Sequence, residues 1–185
     1  MQEIKKIVIM GPESTGKSTL CRQLAEHYNT LWCPEFAREY LLTNGTNYTF
    51  DDLLTIAKGQ VALEEMYHKK VSENETSNLL FVDTDMYVMK VWCEFVFGKC
   101  HPFIIDRIKK QQTDLYLLCN VDLPWVKDEL REYPDLQTRE ELFHIYHNIL
   151  TNQSVPFEII SGTNDERLQA AITAVDTFMA LPKKG

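Results

Sequence analysis

Short apolar runs alternate along this sequence with longer stretches in which apolar residues recur every three or four positions. The runs are rich in β-branched and aromatic side chains, which is typical of strands that are buried on both faces of a parallel sheet. They predict strands at residues 7–10, 30–33, 79–82, 115–119 and 157–160. The longer stretches have the period of amphipathic helices. This alternation predicts an α/β fold, a five-stranded parallel sheet with helices on both faces.

The longest of the predicted helices has a clear start signal. Thr49 or Asp51 can cap it, and a broad apolar face then continues to about Val71. Gln60 lies within this helix, where we interpret it as a surface polar residue rather than as a substrate contact. Other helices are predicted at residues 86–97 and 102–110, after residue 140, and after residue 163.

The loop after the first strand carries the strongest motif of the sequence. Gly11, Gly16, Lys17 and Ser18 have the spacing of a phosphate-binding loop, G-x-x-x-x-G-K-S, and a strand precedes them while a helical pattern follows. A chance Gly-Lys-Ser turn would not require that context. Loop amides and the helix N-terminus would face a phosphate, Lys17 would contact the β- and γ-phosphates, and Ser18 would bind Mg²⁺. We therefore expect nucleotide binding by Gly11, Glu13, Ser14, Thr15, Gly16, Lys17, Ser18 and Thr19.

Two further strands are followed by charged residues. Glu35 and Arg38 come after the second predicted strand, and Asp83 and Asp85 come at the end of the third. In open α/β sheets, ligands bind outside the carboxyl ends of the strands. Asp83 is expected to serve Mg²⁺, directly or through water, whereas Asp85 could orient a substrate hydroxyl or cap the next helix. Glu35 and Arg38 are expected to meet a substrate, and a solvated helix start is the alternative.

A polar segment at about residues 121–140 is predicted to form a lid. It carries Arg131 and Arg139, and arginine suits the negative charge that spreads over a phosphoryl group during transfer. Pairing of these arginines with neighbouring glutamates in an exposed loop is the alternative. Aromatic residues in the helix predicted at residues 86–97 are expected in the core, but Trp92 could wall a pocket for an aromatic ring.

Composition narrows the classes of function. The chain has 185 residues and a net charge of −8, which argues against a broad nucleic-acid-binding face. Its five cysteines form no C-x-x-C motif, and we interpret them as reduced thiols of a cytoplasmic protein. No signal peptide and no membrane-spanning apolar run is recognisable. We expect a single domain over residues 1–185, without nucleic-acid or membrane partners, and a homo-oligomer stays open.

Five segments together carry a more specific signal than the phosphate loop alone. They are G-P-E-S-T-G-K-S-T-L, P-E-F-A-R-E-Y, F-V-D-T-D, D-L-Y-L-L-C-N-V-D-L-P-W, and L-R-E-Y-P with a later R-E. Their combination resembles the ribosylnicotinamide kinase domain of the NadR family, over nearly the whole chain. That resemblance implies a phosphate-loop kinase that uses ATP and Mg²⁺. Its acceptor would be the 5′-hydroxyl of nicotinamide riboside, in a salvage route to NAD.

The resemblance also implies roles for individual residues. The phosphate loop would hold ATP, and Asp83 would serve the magnesium. Glu35 and Asp85 would face the ribose, while Arg131 and Arg139 would be lid arginines. Either carboxylate could take the hydroxyl proton, and Glu35 is favoured because its position after a strand resembles that of the base in related nucleoside kinases. Bifunctional relatives carry an adenylyltransferase domain and some a DNA-binding domain, and we expect neither activity here.

Two other functions share the phosphate-loop features. A kinase of this fold could act on a different nucleoside or small alcohol, because the sequence does not reveal the acceptor pocket. A nucleotide-dependent switch or regulatory ATPase would need no small-molecule acceptor. The expected single domain and the arginine-bearing lid argue against a switch.

Overall fold

Strands and helices alternate in the structure, a computed structural model that describes residues 3–74 and 77–181. In chain order the elements are β1 (Lys5–Met10), α1 (Lys17–His27), β2 (Leu31–Cys33), α2 (Phe36–Asn44), α3 (Phe50–Ser72), β3 (Leu79–Asp83), α4 (Met86–Phe97), α5 (Pro102–Lys110), β4 (Leu115–Cys119), α6 (Leu136–Thr151), β5 (Phe157–Ile160) and α7 (Asn164–Ala180).

One parallel sheet contains all five strands, in the order β2-β3-β1-β4-β5. In its centre, Ile7 of β1 pairs with Phe81 of β3 on one side and with Leu115 of β4 on the other. Every residue of β3 and β4 is buried, which explains why these strands read as continuous apolar runs. The predicted five-stranded parallel sheet is confirmed. Because the strands are parallel, their carboxyl ends share one edge.

Helices cover both faces of the sheet, as the alternating pattern predicts. Ile7 and Ile9 belong to a core cluster with residues of α1 and α7. Val8 and Met10, on the opposite face of the same strand, join residues of α4 and α6 in a second cluster. Helices α2, α3, α4 and α5 enclose a third cluster beside the sheet. None of the described helices combines the length and the apolar character that a transmembrane span requires.

Most predicted helix boundaries agree closely with the structure, although α6 begins at Leu136 rather than after residue 140. Thr49 caps α3, because its hydroxyl accepts the Asp52 backbone N–H and the Asp52 carboxylate accepts the Thr49 N–H in return. Three strands differ slightly, since β1 begins at Lys5 rather than at residue 7, β2 begins at Leu31 rather than at residue 30, and β3 ends at Asp83 rather than at residue 82. The Thr30 hydroxyl instead donates to the carbonyl of Leu79, at 2.5 Å.

Helices α2 and α3 approach each other closely at Gly59. A Cβ atom at this position would overlap the ring of Phe36 in the first turn of α2. Glycine is unfavourable inside a helix, so its presence in α3 is explained by this approach. The contact matters for the site because Phe36 directly follows Glu35.

We expect Gly59→Ala to lower the free energy of unfolding by about 1–2 kcal/mol. Overpacking against Phe36 costs roughly 1–3 kcal/mol, and the better helix propensity of alanine offsets up to about 1 kcal/mol of it. Urea unfolding measures the difference. Thr55→Ala, at an exposed position of the same helix, is the control and should leave stability unchanged or slightly higher. Equal stability of Gly59→Ala and the wild type would contradict the close approach.

Candidate active site

The phosphate loop is shaped by residues with left-handed backbone angles. Gly11 has φ 143°, and a Cβ atom there would lie 2.8 Å from the carbonyl oxygen of Cys119 at the end of β4. Gly16, with φ 80°, precedes the first turn of α1. Ser14 also has a positive φ, 57°, which is uncommon for a residue other than glycine. The loop is thus folded tightly between β1, β4 and α1.

Lys17, Ser18 and Asp83 meet where the phosphate loop joins α1. The Ser18 hydroxyl donates to the Asp83 carboxylate at 2.5 Å, and the Lys17 ammonium donates to the carbonyl of Pro12 at 2.9 Å. Asp83 is fully buried at the end of β3, and this burial raises the pKa of its carboxyl group while nearby Lys17 opposes the rise. A buried carboxylate and a hydroxyl in contact are a suitable pair of hard oxygen ligands for Mg²⁺. These residues are brought together as the sequence predicts.

Glu35 is presented to the site by the turn between β2 and α2. Buried Gln60 of α3 fixes this turn, because its side-chain carbonyl accepts the Phe36 N–H at 2.7 Å and its amide donates to the Pro34 carbonyl at 3.4 Å. Gln60 is only 1% exposed. The interpretation of Gln60 as a surface polar residue was therefore wrong. Its signal in the sequence was a polar residue on the apolar face of a helix, whose partner lies 24 positions away.

The Glu35 carboxyl group has an unusual protonation equilibrium. Burial raises its pKa to about 7, and the nearby negative charge of Asp83 adds to the rise. Lys17 and Arg38 oppose it. A carboxyl group with a pKa near neutral can exchange a proton at physiological pH, which is the property that general acid–base chemistry needs.

Asp85 is buried, and both oxygens of its carboxylate accept hydrogen bonds from other residues of the protein. One carboxylate oxygen caps α4 by accepting the N–H of Tyr87 at 2.9 Å, and the other accepts the hydroxyl of Tyr116 at 2.9 Å. The side chain is 1% exposed and does not line the cavity described below. The structure therefore does not bring Asp85 to a substrate position, and the helix-cap alternative accounts for its contacts.

A cavity of about 510 Å³ extends from the phosphate loop. The loop residues Gly11–Thr19 and Glu35 line one part of it. The remaining wall is rich in aromatic side chains, which are Tyr48, Trp92, Phe95, Tyr133 and Tyr146. The Trp92 indole N–H donates to the Tyr48 hydroxyl at 2.9 Å, so these two rings form a fixed edge-on pair. The predicted position of Trp92 at a pocket wall agrees with this geometry.

Residues 120–135 form an irregular segment that crosses the cavity where a lid was predicted. Asp128 in this segment forms a two-point ion pair with Arg38 of α2, with N–O distances of 3.2 and 3.0 Å. Arg131 donates to the Ser14 hydroxyl of the phosphate loop at 3.3 Å and to the carbonyl of Val126. The segment therefore contacts both the phosphate loop and α2.

Arg139, predicted to contact the phosphoryl group from the lid, differs from the prediction in two respects, because it belongs to a helix and does not line the cavity. It lies in the first turns of α6 rather than in the irregular segment, and it is 2% exposed. Its guanidinium group donates to the carbonyls of Ser14 and Leu123, each at 3.2 Å. Burial lowers its pKa, although Glu13 opposes this. Arg139 thus supports the backbone of the phosphate loop, and its place in α6 holds its side chain rigidly.

Arg167 is a structural residue of the site that sequence reasoning missed. It is 4% exposed in α7, and it donates to the carbonyls of Ile160 and Gly162 at 3.0 Å and to the carboxylate of Asp122. The same Asp122 carboxylate accepts the Gly162 N–H at 2.7 Å. Arg167 therefore joins the loops that follow β4 and β5. In the sequence, the burial of Arg167 was signalled by its position on the apolar face of the last helix.

Comparisons with known proteins identify the family and the fold of this chain. A family model described as an AAA domain matches residues 6–167, which is most of the chain. The chain belongs to the AAA domain family. Its phosphate loop implies that the chain binds ATP.

Two curated proteins are similar to this AAA domain over nearly its whole length. It is 28% identical to the trifunctional NAD biosynthesis/regulator protein NadR of Escherichia coli (strain K12), over 95% of this chain and 43% of that protein. Identity to the protein of the same name from Salmonella typhimurium is 27%, with the same coverage. The sequence-based resemblance to NadR is therefore confirmed. The chain spans less than half the length of these relatives.

Solved structures share the fold. A NadR protein in complex with NR superposes with a TM-score of 0.78 at 24% identity, over 97% of this chain and 50% of that one. A thymidylate kinase from Ehrlichia chaffeensis superposes with a TM-score of 0.63 at 14% identity, over 94% of this chain and all of that one. At these identities the likeness supports the α/β fold and its strand order.

The raised pKa of Glu35 predicts a pH-dependent cost to stability. Because the folded state holds this proton more tightly than the unfolded state, the unfolding free energy should fall as pH rises from about 4.5 to about 7. Glu35→Gln should therefore be more stable than the wild type at pH 7.5, by on the order of 1–2 kcal/mol, and nearly equal at pH 4.5. Urea unfolding at both pH values measures this. Glu39→Gln, at an exposed position of α2, should show no such pH-dependent gain, and a gain of the same size there would contradict the burial argument.

Proposed function

We propose that this AAA domain is a kinase that transfers the γ-phosphoryl group of ATP to the 5′-hydroxyl of nicotinamide riboside, giving nicotinamide mononucleotide and ADP. One observation carries the proposal. The Glu35 carboxyl group, with a pKa near neutral, lines the same cavity as the phosphate loop and the aromatic side chains. A phosphoryl donor on one side and an aromatic nucleoside on the other would place an acceptor hydroxyl beside this carboxyl group.

The phosphate loop would hold the donor. Backbone amides of the loop and the N-terminus of α1 would bind phosphate oxygens, and Lys17 would exchange its contact with the Pro12 carbonyl for the β- and γ-phosphates. Arg131, which lies beside Ser14, would contact the phosphoryl group during transfer. We propose that residues 121–140 act as the lid that brings Arg131 to this position and excludes water.

Ser18 and Asp83 would hold a magnesium ion. They fit this role because two hard oxygen donors are already in contact at the end of β3. A bound Mg²⁺ would neutralise part of the charge on the phosphate oxygens. Within residues 3–74 and 77–181 there is no cluster of three or more His, Cys, Asp or Glu side chains that could hold a metal, so the remaining ligands would come from ATP and water.

Glu35 would accept the proton of the ribose hydroxyl as that oxygen attacks the γ-phosphorus. Its raised pKa makes it a better base than an ordinary carboxylate, while leaving an appreciable ionised fraction at neutral pH. Asp85 is a weaker candidate for the same proton, because both of its oxygens already accept hydrogen bonds under the site.

The side chains that line the cavity suit a cationic aromatic ring. Trp92 and Tyr48 offer aromatic surface, and exposed Glu129 and Glu132 add negative charge to the same cavity. Nicotinamide riboside carries a positively charged pyridinium ring. The similarity to NadR proteins, one of which has been crystallised with NR, supports the same acceptor here. A neutral analogue of nicotinamide riboside should accordingly bind more weakly.

Release of ADP by the purified protein with Mg-ATP tests the proposal. Nicotinamide riboside should stimulate it strongly, with the mononucleotide as product, whereas uridine, cytidine, adenosine and thymidine should stimulate it little. Lys17→Ala controls for contaminating ATPases and should lose about a hundredfold or more of the rate, because it removes a preorganised cation. Stimulation by another nucleoside would replace the acceptor but keep the kinase. Slow release that no acceptor changes would favour a regulatory ATPase.

Replacing the proposed base should reduce the rate more than the binding. We expect Glu35→Gln to lower kcat by about 10²–10⁴-fold with little change in KM for nicotinamide riboside, since a general base acts mainly in the transition state. The wild-type kcat/KM should decline as pH falls below about 7, because protonation removes the base. Initial rates across pH measure both effects. Glu39→Gln is the matched control, and a change confined to KM would make Glu35 a binding residue.

A further inference from the structure

Glu13 of the phosphate loop makes contacts that the proposed reaction does not use. Its carboxylate accepts two consecutive backbone N–H groups of the lid, from Glu132 at 3.0 Å and from Tyr133. The groups lie 119 and 120 positions away in the sequence. Hydrogen bonds to a charged acceptor are stronger than those between neutral groups, so this carboxylate is a firm attachment point for the lid.

The two residues held by Glu13 shape the acceptor side of the cavity. The Tyr133 ring lines the cavity and packs edge-on against Phe95, with ring centroids 5.5 Å apart. The Glu132 carboxylate accepts the Tyr48 hydroxyl at 2.9 Å, and that hydroxyl in turn accepts the Trp92 indole N–H. A continuous series of contacts therefore leads from the phosphate loop through Glu13 to the aromatic wall.

A carboxylate is an unexpected choice at this position of the loop. A loop that binds phosphates gains nothing from a negative side chain, because like charges repel. Holding the lid backbone explains the residue better than contact with the nucleotide does. The bonds go to main-chain N–H groups, so they depend on the shape of the lid at residues 132–133 and not on the side chains there.

We propose that Glu13 is a positioning residue that fixes residues 132–133 of the lid, and that it thereby holds the aromatic side chains of the cavity in place from the phosphate loop. The part of this proposal that concerns the acceptor rests on the proposed function. Removal of the Glu13 carboxylate is expected to affect the binding of the two substrates differently. Without the Glu13 carboxylate, the acceptor should bind more weakly because its wall is loosened, whereas ATP should bind equally well or better because a negative charge is gone.

Hydrogen exchange of the free protein tests the attachment without any substrate. In Glu13→Ala the backbone amides of Glu132 and Tyr133 should exchange about tenfold faster or more, because both lose a charged acceptor. Glu13→Gln should give an intermediate rate, since its amide retains one acceptor oxygen. Amides of β1 and β3 should keep their protection and so report an intact fold. Glu141→Ala, an exposed carboxylate of α6, is the charge-matched control. Wild-type exchange at both lid amides in Glu13→Ala would overturn the proposal.

Steady-state kinetics test the effect on the reaction. Glu13→Ala should raise KM for nicotinamide riboside about tenfold and leave KM for ATP unchanged or lower. A general loosening of the fold would raise both constants. A rise in KM for ATP alone would mean that Glu13 acts on the nucleotide, and would overturn the positioning role. If the wild type does not phosphorylate nicotinamide riboside, the proposed function fails, while the exchange result still decides whether Glu13 holds the lid.

Discussion

The site depends on two carboxyl groups, buried Asp83 and half-buried Glu35, that share one lysine. Because β2 and β3 are adjacent parallel strands, the groups that follow their ends, Glu35 and Asp83, converge at one edge of the sheet. Burial raises the pKa of each, and their mutual repulsion raises that of Glu35 further, while Lys17 stabilises the charged forms. The folded protein therefore carries an electrostatic cost at this edge. Such a cost is typical of sites whose missing positive charge arrives with the ligands.

Other parts of the fold hold these charged groups together despite that cost. Gln60 holds the turn that presents Glu35, and Gly59, one residue earlier, allows α2 to approach α3 closely enough for the contact. Through backbone carbonyls, Arg139 joins the phosphate loop to the segment after β4, and Arg167 joins the loops that follow β4 and β5. These buried polar residues do no chemistry of their own. Their hydrogen bonds hold the reactive groups in positions that the groups' mutual repulsion would otherwise disfavour.

The features predicted from the sequence are those encoded locally. The phosphate loop, the strands and the Thr49 cap each depend on residues within a few positions of one another, and apolar periodicity suffices to order them. The burial of Gln60 and Arg139 could not be derived in this way, because their partners lie 24 and 125 positions away. Asp85 shows the same limit. A carboxylate after a strand fits both a substrate contact and a helix cap, and the deciding contact comes from Tyr116 on a different strand.

The segment proposed as a lid has unequal attachments to the phosphate loop and to α2. At the phosphate loop it is held by the Glu13 carboxylate, by Ser14 and by buried Arg139. Away from the phosphate loop its polar contacts are exposed. They are the hydrogen bond from Tyr48 to Glu132 and the ion pair of Asp128 with Arg38, whose side chain is 50% exposed, and exposed ion pairs contribute only about 0–1 kcal/mol. We therefore expect any opening of this segment to occur on the side of α2. On the proposed function, nicotinamide riboside would therefore enter between the lid and α2 while the arginines stay beside the phosphate loop, so that acceptor exchange need not disturb the bound nucleotide.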